Sequence, residues 1–274
     1  TREPWFGHFN AYPLREGVKP PTFEHAIPSA MFAAARLAGA PGLVPIVQLN
    51  HPRMGGIGYF ELLRFDGEDV ARWRERSNLA SLDFDAIELF NGDHYAQIGK
   101  VEDAMKDWTA LLKAGFRPTA TGNSDSHKLV FAEAGVPRNL VKVAVDDPEK
   151  FDAKDFVASM RAGHVVVVSG PFIRLKAGDK DIGDDVPEGD VELDVEVDAA
   201  PWVDVSRVDL VVRGEVAKTW TAFDKGVVRL REKTTLHLNR GDFVIAIARG
   251  SKAMTYLHRG GARPFSFTNP IFAR

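Results

Sequence analysis

The sequence predicts an α/β fold followed by an all-β region, and three observations predict it. Over residues 1–170, short apolar runs alternate with amphipathic helical stretches. That is the texture of strands joined by helices in a mostly parallel sheet or barrel. Past Gly170-Pro171 the texture changes. VELDVEVDA (191–199) sets Val191, Leu193, Val195 and Val197 against Glu192, Asp194, Glu196 and Asp198, the period-two signature of a strand with one face in water. At 274 residues the chain also has room for two domains, at roughly 150 residues each. We therefore expect one domain over 1–170 and a second over 171–274.

Each element follows from a local pattern. Residues 24–38, EHAIPSAMFAAARLA, carry apolar residues at helical spacing and stop at Gly39. LVPIVQL (43–49) is a β-rich run closed by Asn50-His51-Pro52. A polar helix is expected over Glu68–Arg76. FDAIELF (84–90) is a second apolar run, closed by Asn91-Gly92. GKVEDAMKDWTALLKA (99–114) is an amphipathic helix ended by Gly115. RPTATGNSDSH (117–127) opens from a short strand into a polar loop. NLVKVAV (139–145) is a strand, AKDFVASMRAG (153–163) a helix and HVVVVSG (164–170) a strand. The strands are nearly continuous apolar runs, as expected where both faces are covered.

After residue 171, RVDLVVR, VAKTWTA, VVRLR, TLHL and DFVIAIA follow at short spacing between Gly, Asp and Lys turns. That pattern predicts a β-sandwich of roughly 100 residues. Pro201-Trp202 marks a loop, with Trp202 expected to cover the sandwich or the domain interface. The acidic stretch Asp179–Asp190 lacks the ordered spacing of a calcium loop and is read as solvated.

Composition excludes several classes of function. With 45% hydrophobic and 27% charged residues, the chain is an ordinary globular one and not a disordered chain, a collagen or a coiled coil. A net charge of −3 supplies no basic excess, so no nucleic-acid partner is expected. No apolar run approaches the roughly 20 residues of a membrane span. The absence of cysteine excludes disulfides, thiolate zinc sites and thiol nucleophiles. No signal peptide stands at the start of the sequence; the compartment stays open, an extracytoplasmic one included.

Chemistry concentrates in the first half. His51 closes one predicted strand, Asp125 and His127 follow another, and His8 lies near the start. Residues just past strand C-termini line the active sites of α/β folds, and three imidazoles with a carboxylate suit zinc, manganese or iron. In an extended segment, residues two apart point to one side, so Asp125 and His127 can reach one ion together. The plainer alternatives are a histidine that caps a strand end and an aspartate in an Asx-turn. What favours ligands is the joint pattern: six of the eight histidines fall in residues 1–170, and three stand in turn-like segments. His94, past Asn91-Gly92-Asp93, is a second-rank metal candidate. His25 is read as a surface residue, and His164, His237 and His258 as structural. Glu88 lies within a strand and either points inward or supports a ligand. Arg53, just past His51, either holds an anionic substrate group or is a surface charge. Serine-nucleophile, phosphate-loop and dinucleotide fingerprints are absent.

Together GHFNAYPL (7–14), QLNHPR (48–53), FDAIELFNG (84–92), GNSDSH (122–127) and PFSFTNPIF (264–272) resemble the polymerase-and-histidinol-phosphatase (PHP) superfamily, and within it the CehA/McbA branch. VPRNLVKV (136–143) and ASMRAGHVVVVSGPF (158–172) fit the same pattern. The resemblance implies a distorted (β/α)7 barrel with metals at the strand C-termini, followed by an immunoglobulin-like β-sandwich. It implies hydrolysis of small-molecule phosphoesters, or of carboxyl or carbamate esters, by a metal-activated water. His8, His51, Asp125 and His127 fall on expected ligand positions. Glu88 and Asn91 fall on a recurrent segment, and Glu88 and Arg53 are the candidate catalytic residues. More than one divalent transition-metal ion is implied for the intact enzyme.

Two motifs of the family, a His-x-His pair and a Thr-Asp-His, have no counterpart. The order of the remaining motifs implies that they lie upstream of Thr1. The chain is then expected to catalyse poorly alone, and to associate with that segment or with a second copy. The competing reading is a catalytically silent binding module.

Overall fold

A computed structural model of the chain describes residues 6–19, 26–92, 98–127, 134–255 and 261–274. His25, His94 and His258 lie outside the described residues. Strand β1 (Phe9–Tyr12) comes first, then helix α1 (Pro28–Leu37), β2 (Ile46–Leu49), α2 (Tyr59–Leu62), α3 (Val70–Arg76), β3 (Ala86–Asn91), α4 (Ile98–Lys113) and β4 (Thr119–Asn123). These four strands form one sheet in chain order. β2 and β3 are parallel, with Gln48 opposite Ala86. β1 is antiparallel to β2, Phe9 standing opposite Leu49 and Tyr12 opposite Ile46. The sequence reading places no strand before α1, so β1 is an addition from the structure, and its direction is one that apolar periodicity does not encode.

Helix ends follow their local chemistry. Pro28 opens α1 at a position where a missing N–H costs nothing. Asp69 caps α3 by accepting from the Arg72 N–H at 2.9 Å. The four-residue α2 has no counterpart in the sequence reading, since one turn is too short to show a period. It places Tyr59 and Phe60, both fully buried, in an aromatic core with Phe32, Phe65, Trp73 and Phe84. Tyr59 meets Trp73 and Phe84 edge-on at 6.2 and 6.5 Å. Its hydroxyl donates to the Ser81 carbonyl and accepts from the Ser81 N–H, both at 2.8 Å. Burial pushes this phenol well above its ordinary range.

The remaining elements are β5 (Arg138–Val141), α5 (Ala153–Ala162), β6 (Val165–Ser169), β7 (Phe172–Ala177), β8 (Lys180–Asp181), β9 (Asp185–Val186), β10 (Gly189–Asp198), β11 (Arg207–Val212), β12 (Glu215–Trp220), β13 (Val228–Leu238), β14 (Phe243–Arg249), β15 (Phe265–Thr268) and β16 (Ile271–Ala273). One sheet runs β13-β10-β7-β8. A larger one runs β12-β11-β14-β15-β6-β5, with β16 beside β14 and β9 beside β16. The two share one aliphatic core, with Ile173, Leu193 and Val195 from the first sheet and Val208, Leu210 and Val244 from the second.

Two strands expected in the parallel set belong elsewhere. β6 pairs antiparallel with β15, Val167 opposite Phe267, and β5 pairs antiparallel with β6. A strand buried on both faces reads as an apolar run in either direction, so VVVV carries no mark of its partner. The acidic stretch read as solvated contributes β8 and β9. Trp202 is half exposed in its turn, so it covers less than expected.

Among the described residues the fold is a mixed α/β one dominated by strands, with five α-helices and no closed barrel. The chain divides into two compact units. One comprises Thr1–Leu89, Glu102–Ala120 and Lys142–Arg161, the other Phe90–Val101, Thr121–Val141 and Ala162–Arg274. Among the described residues no helix is long and apolar enough to cross a membrane.

Candidate functional site

In the first unit the chemistry begins where β2 ends. All four residues of β2 are buried, and the chain leaves it through Asn50, His51 and Pro52. The antiparallel register with β1 sets residue 8 beside residue 50, and the Asn50 N–H donates to the His8 carbonyl at 3.0 Å. That pairing brings two imidazoles together. His8 Nδ1 stands 3.0 Å from His51 Nε2, with the rings edge-on and their centroids 4.8 Å apart.

His51 is held in an unusual way. It is buried at 5% exposure, and its φ of +27° lies in the left-handed region, which a histidine enters at a cost of about 1–3 kcal/mol. Its backbone N–H donates to Glu88 Oε2 at 2.6 Å. Glu88 lies mid-strand in β3 at 2% exposure and points inward. This short hydrogen bond offsets part of the strain. Beneath this pair, the Tyr12 hydroxyl donates to Gln48 Oε1 at 2.8 Å and Gln48 Nε2 donates to Asn50 Oδ1 at 2.9 Å. Burial, together with the Asp85 carboxylate, raises the Tyr12 phenol, so it remains a donor.

Arg53 is engaged inside its own unit. Its Nε donates to Asp107 Oδ2 at 2.6 Å and its Nη2 to Asp107 Oδ1 at 2.8 Å and to the Phe65 carbonyl at 2.8 Å. The guanidinium also lies 5.9 Å from the Phe60 ring centre. Asp107, on α4, is 2% exposed. Burial pushes its carboxyl up, against the opposing pull of Arg53. Neither the substrate-holding nor the surface-charge reading of Arg53 anticipates this fork-to-fork pair. Sequence reasoning missed Asp107 because it sits on an amphipathic helix full of charges.

The second unit holds the other predicted ligands. Asp125 follows β4 with a φ of +47°. With His51 it makes two of the four non-glycine residues with positive φ among the described residues. Asn91 Nδ2 donates to Asp125 Oδ2 at 3.1 Å. The neighbouring Gly92 makes this approach feasible, since a Cβ there would stand 2.1 Å from the Ser124 carbonyl oxygen. Asn91, left without a role by the sequence, thus positions the Asp125 carboxylate. His127 Nδ1 stands 2.7 Å from the Asp125 carbonyl oxygen and 3.5 Å from its Oδ1, and its side chain is largely exposed.

The structure therefore gathers His8, His51 and Glu88 in one unit and Asn91, Asp125 and His127 in the other. Among the described residues, no three His, Asp or Glu side chains gather as a metal-binding set. His94 lies outside them. His164 faces Asp184 at 3.2 Å and His237 faces Asp190 at 2.7 Å, as structural histidines do.

No protein-family model matches the chain, and no curated protein matches it. Among solved structures the chain is similar, at 18% identity, to an engineered protein whose crystal structure was determined at 1.98 Å. The likeness covers 65% of this chain and 36% of that one, with a TM-score of 0.25.

Proposed function

We propose that the chain is a metal-dependent hydrolase of the PHP type, acting on small phosphoesters, with the C-terminal portion of a PHP-type α/β barrel and an immunoglobulin-like sandwich as its parts. One observation carries the reading: two imidazoles from separate segments turn their nitrogens toward each other at 3.0 Å, with one of them strained and pinned. Two nitrogens each about 2.0–2.1 Å from one ion stand roughly 3–3.4 Å apart, so the pair fits two positions of a metal's donor set. The proposed metal ligands are His8 and His51 in the first unit and Asp125 and His127 in the second. A zinc, manganese or iron ion there would supply a Lewis acid and a water acidic enough to attack near neutral pH.

The chain's own residues do the rest. Glu88 fixes the backbone of His51, and with it the direction of the ring. Asn91 occupies one oxygen of Asp125 and so fixes how the carboxylate presents the other. Arg53 stiffens the segment after His51 through Asp107.

The test is metal content and turnover together. We expect the protein to bind zinc, manganese or iron and to hydrolyse nitrophenyl phosphate slowly when loaded. His51→Ala should abolish both. Asn91→Ala should weaken metal binding by about 10–100-fold, the usual cost of removing a residue that orients a ligand. Turnover of nitrophenyl acetate alone would move the substrate to carboxyl esters. A folded protein that binds no metal under any supplement would leave a binding module.

A further inference from the structure

Strands β2, β3 and β4 all begin at one end of their sheet, and His51 lies past the other end of β2. Two cavities open at the beginning end, within the first unit. One, of about 220 Å³, is lined by Phe84, Asp85, Leu111, Arg117 and Arg161 among others. The next, of about 430 Å³, is lined by Arg74, Asn78, Leu79 and Asp83 among others. They share Leu82 and Phe116, so they form a single groove with an apolar waist. Clefts for small organic ligands span about 300–1,000 Å³.

Charge selects the ligand. Asp83 and Asp85 are already neutralised. Arg36 binds Asp83 Oδ1 at 2.8 Å and Asp85 Oδ2 at 2.9 Å, and Arg161 Nε binds Asp85 Oδ1 at 3.1 Å. Arg161 is rigid, since its Nη2 also donates to the carbonyls of Val44 and Pro45 at 2.9 and 2.8 Å. Its Nη1 takes no partner among the described residues. The Arg74 side chain makes no hydrogen bond or ion pair among the described residues, and its guanidinium stands 5.8 Å from the centre of the Phe116 ring. Arg117 adds a third guanidinium to the lining. Arg36, Arg74, Arg117 and Arg161 stand against Asp83 and Asp85, so the groove and the groups paired to its lining carry more positive than negative charges around an aromatic and aliphatic waist. A flat apolar body would stack on Phe116, and its acidic group would meet a planar fork of donors.

We propose that this groove is a binding site for a small flat organic anion, an aromatic ring system bearing a carboxylate or a phosphate. The site is separate from the one containing His8 and His51 and does not depend on the hydrolase reading.

Calorimetric titration with 2-naphthoate, 2-naphthyl phosphate and 1-naphthylmethylammonium tests it. Both anions should bind saturably, with Kd on the order of 1 mM or tighter, and the cation should not. Arg74→Gln and Arg117→Gln change exposed residues and leave the fold intact. Each should weaken naphthoate binding at least about fivefold, roughly 1 kcal/mol. His51→Ala should leave naphthoate binding unchanged, which separates this groove from the proposed metal ligands. Absence of saturable binding by either anion, equal binding of the cation, or unchanged binding in the Arg74→Gln/Arg117→Gln double variant would overturn the proposal.

Discussion

β2 and β3 differ from β10 in where they put their polar residues. In the first two, every residue is buried, polar ones included: Gln48, Glu88 and Asn91 are each 2% exposed or less. In β10 the polar residues face outward, and only Val191, Leu193, Val195 and Val197 are buried. Burying a polar side chain costs free energy unless its hydrogen bonds are met, so a sequence that does it three times in ten residues has a use for it. The use here is positional. Glu88 holds the His51 backbone and Asn91 holds Asp125. β10 spends its polar residues on cross-strand pairs in water, where little is at stake, while β11 and β15 of the larger sheet bury Asp209, Ser266 and Thr268.

The sharpest way to break that comparison is to remove one member of a buried pair. Arg53→Met leaves the buried Asp107 carboxyl with its main partner gone. We expect a loss of about 3–5 kcal/mol, read by urea unfolding. Asp107→Leu on top of Arg53→Met should recover most of the loss, because a well-packed apolar pair is often as stable as a buried ionic one. If the single variant costs no more than a surface substitution, the pair does not hold the segment after His51.

This pair also marks where the sequence stops being legible. The β10 alternation names its buried face correctly, residue by residue. The His8 and His51 pairing depends on β1, a four-residue strand whose sequence carries no clear alternation and is not legible as a strand. Partners distant along the chain do not show. Arg53 and Asp107 are 54 residues apart, and each looks like any other surface charge. Val165–Ser169 reads as a strand of a parallel set, yet its partner is Phe265–Thr268, which nothing in a run of valines encodes. Asn91 is legible as a turn residue, but its carboxylate partner 34 residues on depends on the close approach at Gly92. What periodicity conveys is the face a residue takes. What it omits is the neighbour.

Two carboxyls, one from each region, sharpen the contrast through pH. Burial raises Asp107, and Arg53 does not cancel it. A group whose pKa is raised on folding contributes stability that is full below its unfolded pKa and lost as pH rises through the folded one. Asp204 goes the other way. Burial alone would raise it, but it accepts from the Ser251 and Lys252 N–H groups and the Ser251 hydroxyl at 2.6, 3.0 and 2.9 Å, which together hold it below its ordinary value. Its contribution is full above the unfolded pKa and lost as pH falls through the folded one. Unfolding from about pH 3 to about pH 6 should therefore show opposite trends. The deficit of Asp107→Asn shrinks as pH rises, and that of Asp204→Asn grows. Trends of the same sign would mean that burial does not dominate at Asp107.

The smallest expected effect lies on the outward face of β10. Glu196 stands opposite Arg231 on β13 and Arg174 on β7. It accepts from Arg231 Nε at 2.9 Å and pairs with Arg174 as well. Arg174 in turn reaches Asp198 Oδ2 at 2.7 Å and stacks over Phe172. The Arg231 side chain is 68% exposed, so its charge is solvated with or without its partner. Arg231→Gln should cost less than about 1 kcal/mol. The cost should fall further at high salt, where the screening length drops to about 3 Å at 1 M. Glu196 keeps Arg174 in the variant, so no charge is stranded, in contrast to Asp107 without Arg53. A cost above about 2 kcal/mol, insensitive to salt, would place this ladder among the fold's buried pairs and erase the distinction between the two regions.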